Sequence, residues 1–157
     1  MRWALPDRVF FASGACHILA YAFLERHFCF GAKALWLRPE AGIGNHVFVA
    51  CGDWAFDYHG YALLDRFLSH SRRRAQRLWP GWHAQLVELP REVLVSEAKS
   101  KTYGGLWLRE PGQFLHNALP RARAFLNRFP APDLWRAQAF VATGGPSGRP
   151  HSDHEPS

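Results

Sequence analysis

Residues 46–58, HVFVACGDWAFDY, decide how this chain is read. His46 to Ala50 and Trp54 to Tyr58 are both rich in β-branched and aromatic side chains, which suit a pleated, half-buried surface. Gly52-Asp53 between them is the kind of two-residue sequence that closes an antiparallel hairpin. A turn there pairs Cys51 with Trp54, Phe48 with Asp57 and His46 with His59. His46, Phe48, Asp57 and His59 then share one face, because side chains alternate along a strand. His46 and Asp57 become diagonal neighbours with backbones roughly 7–8 Å apart, a gap that both side chains can close. A carboxylate beside an imidazole fixes the tautomer and orientation of the ring and frees its other nitrogen for a third group.

Upstream, residues 14–27, GACHILAYAFLERH, predict a helix with Ser13 as its N-cap. Cys16, Leu19, Ala20, Phe23 and Leu24 repeat at helical spacing, and the opposite face is also mostly apolar, so the helix is expected at the centre of the fold. Cys16 stands at its start. Free amides and the positive end of the helix dipole lower a thiol's pKa there, and only the thiolate is a nucleophile. The same amides, that of Cys16 among them, can hold an oxyanion, as acyl transfer requires. In chain order this makes Cys16 the candidate nucleophile, His46 the base and Asp57 the group that orients it. His59 lies on the same strand face and is a second candidate base. Cys29 and Cys51 are expected to be structural.

Around these elements the pattern predicts a strand over Lys33 to Arg38 and a Pro/Gly loop over 39–45. An amphipathic helix follows over 61–79, with Leu64, Phe67, Leu68, Ala75 and Leu78 inward and Arg66, Arg73 and Arg77 outward, ended by Pro80-Gly81. A strand is expected from His83 to Leu89, and weaker helices near 91–100 and 112–129, separated by Gly104-Gly105. Residues 1–141 then form one α+β domain with a small antiparallel sheet and a buried leading helix, and 142–157 read as a disordered tail.

Composition bounds the function. Of 157 residues, 48% are hydrophobic and 15% aromatic, enough to bury a core without staples. No apolar run reaches the roughly 20 residues of a membrane-spanning helix. Three cysteines, at 16, 29 and 51, are an odd and sparse set, which argues against a disulfide framework and for a reducing, cytoplasmic setting. Arg2 and Arg8 ahead of the apolar stretch Val9 to Leu24, with Ala20-Tyr21-Ala22 after it, imitate a secretory leader, and Ser13 to Cys16 faintly imitates a lipoprotein box. Pro6 and Asp7 in the leader, and Gly14 and His17 in the apolar run, oppose the first, and Ser13 where a lipoprotein box wants Leu opposes the second, so the mature chain is expected to begin near Met1. Cys16, His17, His27 and Cys29 lack the paired spacing of zinc ligands, and His151, Asp153 and His154 suit only adventitious binding, so neither metal nor organic cofactor is expected.

The net charge is +6, and Lys occurs only at Lys33, Lys99 and Lys101, which leaves 16 Arg among the 19 Lys and Arg. Arg72-Arg73-Arg74, with Arg66 and Arg77, reads as a solvated helix face, and no nucleic-acid-binding signature accompanies it. Trp79 and Trp82 are expected to anchor the helix end.

Region 13–60 resembles the transglutaminase-like and papain-like superfamily of thiol enzymes. Gly14-x-Cys16-x-x-Leu19-Ala20 is similar to the family's helix start, and His46-Val47-Phe48-Val49, Gly52 and Trp54-Ala55-Phe56-Asp57 are similar to its His-strand-Gly-x-Trp-Asp hairpin. His17 stands where the transglutaminases often carry an aromatic residue, and Tyr58-His59 replaces their usual Pro-Thr. The resemblance implies a papain/transglutaminase-like fold and a Cys16-His46-Asp57 triad. That triad would perform cysteine-dependent acyl transfer (amide hydrolysis, deamidation or transglutamination) on a peptide, protein or small amide or acyl substrate. His17 and His59 would line the substrate site. The alternative is a non-catalytic module of the same fold whose Arg-rich helix holds an acidic partner or nucleic acid.

Overall fold

A computed structural model describes residues 2–26 and 29–132. The expected tail at 142–157, the end of the expected domain at 133–141, and His27 lie outside the described residues. The chain is α+β. Its helices are α1 (Asp7–Ala12), α2 (Cys16–Glu25), α3 (Leu64–Leu78), α4 (Glu97–Lys101) and α5 (Ala118–Leu126), and its strands are β1 (Lys33–Pro39), β2 (His46–Cys51), β3 (Trp54–Asp57), β4 (Gly60–Leu63) and β5 (Ala84–Leu89). The five strands form one antiparallel sheet in the order β4-β3-β2-β1-β5.

Both faces of that sheet are covered, and the alternation of side chains decides what covers each. Ala34, Trp36, Val47, Val49, Cys51 and Phe56 point into the main core with Phe11 of α1, Ile18, Leu19 and Phe23 of α2, and Phe125 and Leu126 of α5. Leu35, Leu37, Phe48, Ala50 and Ala55 point the other way, against Leu64, Phe67 and Leu68 of α3. The central strands β1 and β2 therefore read as nearly continuous apolar runs, as strands buried on both faces do.

The apolar stretch 9–24 is two helices. α1 begins after Pro6 and buries Phe10 and Phe11. Ser13 does not cap α2, as its position suggested. It ends α1, donating its N–H to Phe10 O at 3.2 Å. Gly14 then takes φ +103°, which L side chains rarely adopt, and the chain reverses into α2. α2 begins at Cys16 rather than 14, with Ala15 as a cap residue that makes no side-chain bond.

Arg121 of α5 holds the N-terminal segment down. Its guanidinium donates to Asp7 Oδ1 at 2.8 Å, Trp3 O at 2.7 Å and Leu5 O at 2.6 Å.

Two further expectations are corrected. Residues 60–63 form an edge strand instead of helix, because Tyr58-His59 is a second tight turn that pairs Asp57 with Gly60. α3 waits until Leu64, whose N–H donates to Asp53 O at 2.7 Å. The cysteines are also not three unpaired thiols: Cys29 and Cys51 form a disulfide, with Cα atoms 6.4 Å apart, and Cys16 is free. Cys51, at the inner end of β2, faces the core beside the return from α2, which is why a sparse set can still close one bridge.

Candidate active site

The hairpin has the register that its turn implies, with Val49 opposite Phe56, Ala50 opposite Ala55 and Cys51 opposite Trp54. His46 opens β2 and Asp57 closes β3. At that end the side chains meet: His46 Nε2 lies 3.0 Å from Asp57 Oδ2. An ionised carboxylate only accepts, so Nε2 carries the proton of that bond and Nδ1 is the nitrogen left for the thiol. Asp57 is 5% exposed, and its load is shared. The backbone N–H of His59 donates to Oδ1 at 2.8 Å, and the His59 ring reaches the same oxygen at 3.3 Å. His59 is therefore not opposite His46 on a strand. It occupies the β3–β4 turn and steadies the carboxylate from behind.

Cys16 is the first residue of α2 and is half-buried. Ala15 O accepts from Ile18 N and Leu19 N at 3.1 and 3.3 Å, so the amides of Cys16 and His17 come before the first intrahelical bonds. Burial, the largest influence, opposes ionisation of the thiol. Hydrogen bonds with His17 and His46, and the charges of those rings, outweigh it and bring the pKa from 9.0 to about 5. For His46, burial favours the neutral ring, but hydrogen bonds to Asp57 and Cys16 and their negative charges raise it from 6.5 to about 9. Burial works against Asp57's charge too, and the hydrogen bond and charge of His46 prevail and hold the carboxyl below its ordinary value. Between those limits the site holds a thiolate, an imidazolium and a carboxylate.

His17, expected to face substrate, is 2% exposed, and its Nε2 lies 2.8 Å from Arg109 O. A carbonyl only accepts, so Nε2 donates, tying the loop before Arg109 to the start of α2. That loop forms part of a small cavity of about 130 Å³ that also includes Gly14, Cys16, His17 and His46. Leu106, which is buried, and Trp107, which is 69% exposed, line it too. In the sequence, Gly104-Gly105 reads only as a separator between helices, so nothing local signals a loop folded back over the thiol. Asn45 belongs to no motif in the sequence. It lines the same cavity, and its Oδ1 accepts from Trp36 Nε1 at 2.8 Å. Its place beside His46 at the end of a Gly-rich loop is the only cue to it.

Across His46 lies a larger open groove of about 530 Å³, between the sheet end and α3. Asn45 and His46 line both spaces. Tyr58 stands in the groove wall, its ring 5.6 Å from that of His46 in an edge contact. Burial and the Asp57 charge push its phenol pKa up, against a hydrogen bond and charge from Arg74. Among the described residues no group of three or more His, Cys, Asp or Glu is arranged to hold a metal ion. No helix among them is long and apolar enough to cross a membrane. No family model, curated protein or solved structure matches this chain.

Proposed function

We propose that this protein is a cysteine-dependent acyl-transfer enzyme with a Cys16-His46-Asp57 triad on a papain/transglutaminase-like fold. The observation that carries the reading is a free thiol on the first residue of a buried helix, lining one small cavity with an imidazole whose Nε2 is held 3.0 Å from a buried carboxylate. The Cys16 thiolate attacks the carbonyl carbon of an amide. The oxyanion that forms is held by amides at the α2 N-terminus. His46 gives its Nδ1 proton to the leaving nitrogen as the C–N bond breaks, and a thioester to Cys16 remains. Water, deprotonated by His46, then attacks the thioester, and the sulfur leaves as thiolate. With an amine in place of water the outcome is transfer, and with ammonia as the first leaving group it is deamidation. Asp57 holds the imidazole in the one tautomer that suits both steps.

The expected cytoplasmic location rested on the sparse cysteines, and the Cys29–Cys51 bridge withdraws that support, since disulfides persist in oxidising compartments.

The test is covalent. Intact-mass analysis after incubation with a peptide acyloxymethyl ketone should show one adduct, mapped to Cys16 and absent from Cys16→Ala. No adduct on the native protein, or an adduct elsewhere, would leave only a binding module on this fold.

A further inference from the structure

The groove beside His46 continues the site along α3, and its walls have a definite chemistry. Part of its lining is apolar, from Phe67, Leu78, Trp79 and Trp82. Trp82 is fixed from behind, its Nε1 donating to Ile43 O at 2.7 Å. Arg66, His70 and Arg74, all exposed, line it as well. None of the arginines of α3 is in a salt bridge among the described residues. Asp57 is the one carboxylate in the lining, and His46 and His59 already occupy it. An open trough lined by guanidiniums that no carboxylate neutralises, and by indoles, fits a ligand that is both anionic and apolar.

Spacing narrows the class further. Arg66, His70 and Arg74 stand four residues apart, which puts neighbours about 6 Å and the two arginines about 12 Å from each other along the helix. Alternate side chains of an extended peptide are about 6.8 Å apart, and every fourth about 13 Å. The row thus matches one face of an extended chain, and the period-2 rule leaves its alternate side chains for the apolar part of the lining. A nucleic acid could meet the cations equally, but it offers no acyl carbon to a thiol.

We propose that the substrate is an extended acidic peptide segment laid along α3. Its acidic side chains meet Arg66 and Arg74, an apolar side chain rests on Trp79 and Trp82, and its reacting carbonyl enters the small cavity at Cys16. This rests on the thiol-enzyme reading above and names its substrate class.

Two peptide acyloxymethyl ketones that differ only in Glu against Gln at alternate positions provide the test. Cys16 labelling of the full chain should be faster with the Glu probe by roughly 3- to 30-fold at low salt, the range that two exposed ion pairs produce. High salt should erode the preference, and R66Q/R74Q should abolish it, while R73Q/R77Q, outside the groove, should keep it. Neutral iodoacetamide, which needs no groove, separates the two failures. If it does not label Cys16 ahead of an ordinary thiol, the enzyme reading itself falls. If it does, and the Glu and Gln probes react alike, the substrate class falls alone. Protection of Cys16 by single-stranded oligothymidylate at concentrations where polyglutamate gives none would also overturn the proposal, and assign the cations to phosphate.

Discussion

α2 and α3 flank the same sheet on opposite faces and are opposite in kind. α2 is ten residues long and buries His17, Ile18, Leu19, Ala20, Ala22 and Phe23. α3 is fifteen residues long and buries only Ala75. The first is held on all sides, so the sulfur at its start has few positions available to it. The second keeps its charged side chains in water, where ordering them costs side-chain entropy and a ligand must supply the compensation. Precision at one helix and adaptability at the other are what a thiol enzyme needs from its nucleophile and from its recognition surface.

The sharpest way to break that contrast is at the triad. Asp57→Asn keeps the shape but supplies no charge, and it can present an N–H where His46 Nε2 now donates. Turnover, once a substrate is in hand, should fall by roughly 10²–10⁴-fold with little change in KM. A loss confined to KM would mean that Asp57 only shapes the site. On the stability side, Phe23→Ala in α2 should cost about 3–5 kcal/mol, because its ring is fully buried and stacked on Phe56 at 4.8 Å. Chemical denaturation measures it. A cost below about 1 kcal/mol would show that the α2 face is far looser than its burial implies.

The next effect is smaller and lies in pH. Alkylation of Cys16 should rise with an inflection near the thiol's value of about 5. His46→Ala removes a hydrogen bond and a positive charge, both of which lower the thiol's pKa, so the inflection moves up toward the ordinary 9.0. At pH 5.5 thiolate is then scarce, and the rate should drop tens of fold, the loss being partly offset because a more basic thiolate is intrinsically more nucleophilic. Near pH 8 the two proteins should differ much less. Parallel pH profiles would show that His46 does not set the thiolate.

The same contrast explains what could be read from sequence. The hairpin was legible because its signals are local: a Gly-Asp turn fixes the register, and the register puts His46 and Asp57 at one end of one face. Cys16 at a helix start was legible for the same reason, although its cap was misplaced. Ser13 is good cap chemistry in any local reading, and only the burial of Phe10 and Phe11 in a helix of their own makes it a helix end instead. Tyr58-His59 holds no turn residue of its own, so local propensity extends the strand through His59, and the reversal rests on Gly60 at φ +101°. What lay beyond reach depends on long-range packing. The loop at Gly105 to Trp107 meets Cys16 across about ninety residues, tied there by His17 to Arg109. The bridge between Cys29 and Cys51 likewise needs the end of α2 and the hairpin to be placed together first.

The smallest expected effect tests whether α3 is adaptable throughout or only where it lines the groove. Arg73 and Arg77 stay outside the groove and, among the described residues, pair with no carboxylate. Each gains little from the fold, since a solvated guanidinium keeps its water and its rotamers. Arg77 lies in the last turn, where its charge complements the helix dipole by only a few tenths of a kcal/mol. Replacing both with Gln keeps helix propensity and removes two like charges from an arginine-crowded surface, which offsets the dipole loss. The net change in stability should therefore stay within about 0.5 kcal/mol, measured by urea unfolding at low salt, where such effects are largest. A loss beyond about 1 kcal/mol would show that these arginines are held in the native structure. α3 would then be a fixed structural face like α2, and the contrast between the two helices would be one of composition only.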